Sequence, residues 1–131
     1  MDDLTRAALF LRAEQILYDY DKGDSKFTSV DSERIKAVIN LIDSSLRVIE
    51  YYDSGKVVFD DEDFRNTSGL IDCLNENGYG NADYLEQQKL VLKATLTGSH
   101  PPGIPEARKF CSNIGRYSLE AELSKSGGCY Y

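Results

Sequence analysis

The side chains best suited to nucleophilic chemistry in this sequence are three cysteines and one histidine. Cys73 and Cys111 lie inside apolar patterns, and Cys129 follows two glycines. A cysteine becomes an effective nucleophile when a neighbouring base such as His100 takes its proton. No nucleophile motif accompanies His100. Because of the patterns around them, we expect Cys73 and Cys111 to be buried apolar side chains, and we expect Cys129 to be exposed in a tail. A small enzyme of unknown class stays open as an alternative.

Oxygen-bearing side chains recur between residues 75 and 86. Counted from the first of them, they occupy positions 1, 3, 9 and 12, and Gly80 occupies position 6. This spacing resembles an EF-hand calcium loop, in which oxygen ligands at alternating positions close on a bidentate glutamate. The first position lacks the usual carboxylate, so the loop is degenerate. A calcium-responsive helical domain is therefore a second alternative, with the candidate ligands Asn75, Asn77, Asp83 and Glu86.

Acidic and tyrosine side chains gather between residues 51 and 63. Tyrosine is enriched at recognition surfaces because it combines apolar area with a polar tip. Carboxylates attract a basic partner and accelerate its association. The sequence therefore predicts a non-catalytic protein-interaction module, of the inhibitor, immunity or adaptor type, that docks a basic protein. The predicted binding face consists of Tyr51, Tyr52, Asp53, Asp60, Asp61, Glu62 and Asp63.

The formal charge of −7 is distributed unevenly along the chain. Residues 89–131 hold six basic and three acidic side chains, a net charge of +3, which leaves −10 on residues 1–88. An acidic surface repels phosphate backbones, so we expect no nucleic-acid partner. No glycine-rich phosphate-binding motif of the P-loop or dinucleotide type is present, and we expect no cofactor.

Three features of the sequence indicate the cellular compartment of the protein. No apolar run approaches the roughly 18–20 residues that cross a bilayer. The first residues, Met1-Asp2-Asp3, lack the basic leader of a signal peptide. An odd number of widely spaced cysteines does not build a disulfide framework. We therefore expect a cytoplasmic protein without a membrane partner.

Apolar side chains recur at steps of three and four residues, which predicts an all-α, single-domain bundle of about five helices with little or no β-strand. Asp2 or Asp3, Thr28 or Ser29, and Asn81 are candidate N-caps, and Gly55 marks a helix end. Over residues 34–97, apolar helices run through Leu70-Ile71-Asp72-Cys73-Leu74 to Tyr84-Leu85, an order similar to that of death-fold interaction domains. The predicted helices span about residues 3–20, 30–53, 61–74, 82–97 and 105–124; the apolar stripe of the first includes Leu4, and that of the third includes Phe64.

The sequence predicts one helical domain over residues 1–124 and a flexible tail over residues 125–131. Residues 56–60 are predicted to be an extended linker from which Val57 and Phe59 reach the core. The second helix is apolar on two sides, so its neighbours belong either to its own chain or to a symmetric copy. A homodimer is therefore possible.

Overall fold

The computed structural model describes residues 1–23 and 27–127, with side chains described through residue 125. Within these ranges every regular element is an α-helix, so the predicted all-α class is confirmed. None of the described helices is both long enough and apolar enough to cross a membrane. The helices are α1 (Asp3–Asp21), α2 (Ser29–Ser54), α3 (Asp61–Thr67), α4 (Leu70–Glu76), α5 (Ala82–Leu96) and α6 (Ile104–Gly127).

Short polar side chains begin the helices where the sequence predicts. The side chains of Asp2, Thr28 and Asn81 each accept a hydrogen bond from the backbone N–H three residues later, at 2.7–3.1 Å. Each bond satisfies a donor that the first turn leaves without a helical partner. Gly55 ends α2 in the left-handed region, at φ +68°. The positions of α1, α2 and α5 are therefore encoded locally.

The third predicted helix is divided in two, so the described residues form six helices, close to the predicted number of about five. The division falls at Ser68 and Gly69, and Gly69 has a φ of +79°. A side chain at this position would be strained, and its Cβ would lie 3.2 Å from the guanidinium of Arg6. The close approach of Arg6 thus coincides with the break between α3 and α4.

The core joins the two ends of the described chain, because α1 packs along α6 more extensively than any other helix pair. Phe10 meets Phe110 edge to face, with ring centroids 6.1 Å apart. At Gly115 the two backbones come close, since a Cβ there would lie 2.6 Å from Cγ of Leu11 and 3.0 Å from its backbone nitrogen. Gly115 therefore permits the close packing of α1 on α6.

We expect Gly115→Ala to lower the free energy of unfolding by about 1 kcal/mol, although alanine is the better helix former. The helix-propensity gain of about 1 kcal/mol is outweighed because overpacking costs about 1–3 kcal/mol. Urea denaturation measures the difference. In a double-mutant cycle, Gly115→Ala should cost less in the Leu11→Ala background than in the wild type, because most of the side chain that its Cβ meets has been removed. A Gly115→Ala protein more stable than the wild type would contradict this packing.

Two boundary predictions differ from the structure. Val57 and Phe59 are half-buried and do not belong to the buried core; the Phe59 ring packs instead against Tyr51 and Tyr52 at the end of α2. Helix α6 continues through Gly127, into the segment predicted to be a tail. The remainder of that segment, including Cys129, lies outside the described residues.

Candidate functional site

Three aromatic rings hold the end of α2 against the segment before α3. The ring of Tyr51 meets Phe59 edge to face at a centroid distance of 5.1 Å, and it meets Tyr52 at 5.4 Å. Tyr52 and Phe59 are 6.3 Å apart. Tyr51 is 43% exposed and Tyr52 is 73% exposed. These contacts leave aromatic surface open to solvent at the end of α2, and in the sequence Asp53 and Asp60 directly follow Tyr52 and Phe59.

Four of the predicted acids are exposed, and three of them line a surface cavity together with one of these rings: Asp53 with Tyr52, and Asp60 and Glu62 with Phe59. Asp53 is in the last turn of α2, Asp61 and Glu62 are in the first turn of α3, and Asp60 precedes them; all four are exposed. Acids at the start of α3 favour its positive end. Asp53 has the opposite relation, because it adds negative charge to the negative end of a helix whose last turn holds no basic residue. Its position does not stabilise α2.

Asp63, the seventh predicted residue, is buried and serves the fold. Arg47 donates two hydrogen bonds to its carboxylate, at 2.9 and 2.6 Å, and the hydroxyl of Ser44 donates a third at 2.9 Å. With Asp60 it also forms a reciprocal capping box at the start of α3. The hydrogen bonds from Arg47, more than any other contact, hold the pKa of Asp63 well below its ordinary value. Its charge is therefore not presented to a partner.

An open groove of about 640 Å³ lies beside this ion pair, between α2 and α3. Two of its four carboxylates are paired with basic side chains of the chain itself. Asp43 pairs with Lys89 at 2.9 Å, and Asp63 pairs with Arg47. The groove is consequently less negative than its number of acids suggests. Its lining residues are Asn40, Asp43, Ser44, Arg47, Val58, Phe59, Asp60, Glu62, Asp63 and Asn66.

The candidate calcium ligands belong to the end of one helix and the start of the next. Asn75 lies within α4, and Asn77 follows it, donating its side-chain amide to the carbonyl of Cys73 at 2.8 Å. Asp83 is in the first turn of α5, and Glu86 pairs with Lys89 at 3.1 Å. In the part of the chain that the structure describes, no three His, Cys, Asp or Glu side chains cluster closely enough to hold a metal ion.

The described thiols and the histidine have separate structural surroundings. Cys73 and Cys111 are buried, as predicted. Burial raises the thiol pKa of both, to about 12 for Cys111. The His100 ring stacks on Tyr20 at a centroid distance of 4.4 Å, and its Nε2 lies 3.3 Å from the Tyr20 carbonyl oxygen. Nothing in these contacts activates a thiol.

We expect Cys73 and Cys111 to be alkylated slowly in the folded protein. Iodoacetamide reacts with thiolates, and burial both raises the thiol pKa and excludes the reagent. Peptide mass mapping after timed labelling at pH 8 distinguishes these two thiols from Cys129. Fast labelling of either buried thiol without unfolding would instead identify a reactive cysteine.

The exposed face extends beyond the predicted residues to Phe64 and Asp72. Phe64 follows Asp63 directly but is 59% exposed, although its place in an apolar pattern suggested a core position. Asp72 is an exposed residue in the first turn of α4. The prediction of one helix over residues 61–74 placed Phe64 on the same apolar face as Leu70 and Leu74, but α3 ends at Thr67. Gly69, which lies in the left-handed region, was the signal that could have divided the predicted helix.

No protein-family model, curated protein or solved structure matches this chain.

Proposed function

We propose that this chain is a non-catalytic interaction module that docks a basic partner protein. The surface responsible, called here the acidic aromatic face, comprises Tyr51, Tyr52, Asp53, Phe59, Asp61 and Glu62. The observation that carries the proposal is the contact of the exposed Tyr52 ring with the half-buried Phe59 ring, close in sequence to exposed carboxylates. Aromatic side chains are enriched in interface cores, and charged residues in the polar rim steer the encounter.

The position of Asp53 supports the proposal independently. A carboxylate in the last turn of a helix opposes the helix dipole, an effect of about 0.3–1 kcal/mol. Residues that break a local rule without a structural benefit are commonly found where function requires them. A cationic group of a partner would neutralise the charge of Asp53 and the negative end of α2 together.

Affinity capture with purified, immobilised protein tests the proposal. Lysate of the native host is passed over wild-type protein and over a variant that combines Asp53→Asn, Asp61→Asn and Glu62→Gln. We expect a basic protein to be retained at about 50 mM salt and released at about 500 mM, where the Debye length is only a few ångströms. The triple variant should retain much less of it.

A matched variant separates the face from the overall charge. Asp21→Asn, Glu33→Gln and Glu120→Gln together remove the same charge from other exposed positions. This control should capture the basic protein almost as well as the wild type does. Equal losses in both variants, or capture that salt does not weaken, would contradict docking through the acidic aromatic face.

A further inference from the structure

Two hollows of about 250 Å³ each lie side by side next to the acidic aromatic face. Both are lined by Val48, Tyr52 and Ile71, so they flank the exposed Tyr52 ring. One continues to Ile49, Asp53, Asn75 and Gly80. The other continues to Phe64, Thr67, Ser68, Gly69 and Asp72.

The hollows offer apolar surface and negative charge together. Val48 is buried, Ile71 is half-buried, and Phe64 leaves 59% of its surface exposed. Each hollow also has one exposed carboxylate, Asp53 in the first and Asp72 in the second. Among the described residues, neither lining includes a lysine or an arginine. An occupant that fits this surface carries apolar side chains flanked by cations.

We infer that the two hollows receive an amphipathic, basic helix of the partner protein, with one apolar side chain entering on each side of Tyr52. This inference rests on the proposed function and specifies the element that is recognised. Strand addition needs an exposed sheet edge, and the described helices offer none. Helix docking instead uses apolar side chains at steps of three and four residues, which face one way.

A second copy of this chain fits the hollows less well than a basic helix. A symmetric dimer through this patch would bring each copy's Asp53 and Asp72 to the same interface, where like charges repel. A negatively charged lipid surface meets the same repulsion. A basic helix supplies the complementary charge and the apolar side chains at once.

Synthetic peptides that stand in for the partner's helix test the inference. The probe is a fluorescein-labelled peptide of about 18 leucine and lysine residues, with leucines at helical steps of three and four. The comparison peptide has the same composition with leucine and lysine alternating. Fluorescence anisotropy gives the Kd of each at about 100 mM salt. We expect the wild type to bind the helical-period peptide more tightly.

Single substitutions then locate the binding site. Tyr52→Ser and Phe64→Ser should each weaken binding of the helical-period peptide about tenfold or more, as truncated interface anchors do. Leu90→Ser is the matched control, because Leu90 is a similarly exposed apolar residue on α5, at 57%, and it should leave the Kd unchanged. Thermal melts verify that all three variants stay folded.

The outcomes separate this inference from the proposed function. In one outcome, both peptides bind equally well, Tyr52→Ser has no effect, and the triple variant Asp53→Asn, Asp61→Asn and Glu62→Gln binds more weakly. This outcome would overturn the helix inference but would still support docking through the acidic aromatic face. Binding insensitive to every one of these variants would overturn both. A wild-type dimer in sedimentation that Tyr52→Ser converts to monomer would assign the hollows to a second copy.

Discussion

Replacing Arg6 with alanine is expected to lower the free energy of unfolding by about 3 kcal/mol, the loss typical of breaking a buried ionic network. Arg6 is 2% exposed. Its Nε donates to the hydroxyl of Ser118 at 2.9 Å, and its guanidinium also contacts Asp3 and the carbonyl oxygen of Ser68. One side chain thus joins α1, α6 and the break before α4. Truncation removes these bonds and leaves a void.

Urea denaturation at neutral pH measures this effect, and Arg12→Ala provides its control on the same helix. Arg12 is 46% exposed and has one ion pair, with Asp31 at 3.4 Å. Its loss should change stability by no more than about 0.5 kcal/mol. Arg6→Lys should also be destabilising, because one ammonium cannot reproduce the planar fork of the guanidinium. Equal stabilities of Arg6→Ala and Arg12→Ala would show that the network contributes nothing.

Asp63→Asn should lower stability by about 2 kcal/mol at pH 7, through the loss of charge-assisted hydrogen bonds. The difference in the free energy of unfolding between Asp63→Asn and the wild type should become smaller in acid. The pKa of Asp63 is held below its ordinary value of 3.8, chiefly by Arg47. Its ionised form therefore contributes stability in full above that value and loses the contribution as pH falls toward the lower, folded pKa.

Denaturation of both proteins at pH 7, 4 and 2 measures how this stability difference changes with pH. The other carboxyl groups affect both proteins equally, so their effects cancel in the difference. Asp61→Asn is the matched control, because Asp61 is an exposed acid of the same helix turn. It should differ from the wild type by only a few tenths of a kcal/mol, as for an exposed charge near a helix end. If the stability difference between Asp63→Asn and the wild type stayed constant from pH 7 to pH 2, the ionic role of Asp63 would be contradicted.

Local chemistry explains what the sequence predicts correctly. Caps at Asp2, Thr28 and Asn81 and the glycine at the end of α2 act within a few residues. Periodicity then identifies the helices but places individual residues less well. Leu4 falls in the predicted apolar stripe of α1 yet is 55% exposed. Leu4 lies in the first turn of α1, and periodicity does not tell how far along the stripe a neighbouring helix extends.

The acids show why the candidate site is only partly predictable. Asp61 and Asp63 are identical in type and two residues apart, yet one is exposed and the other is buried. The difference comes from Arg47, sixteen residues away in sequence, whose guanidinium donates two hydrogen bonds to Asp63. Arg6 was missed for a similar reason, since its partner Ser118 is 112 residues distant. Residue type and spacing do not encode such pairings.

The pairing of α1 with α6 bears on how the protein is made. Ribosomes synthesise α1 well before α6, so the face of α1 that includes Phe10 has no Phe110 to cover it while the middle of the chain is being translated. Contacts of such large sequence separation form late and slow folding, because the loop between them must close first. Until α6 leaves the exit tunnel, the nascent chain presents the kind of apolar surface that chaperones bind.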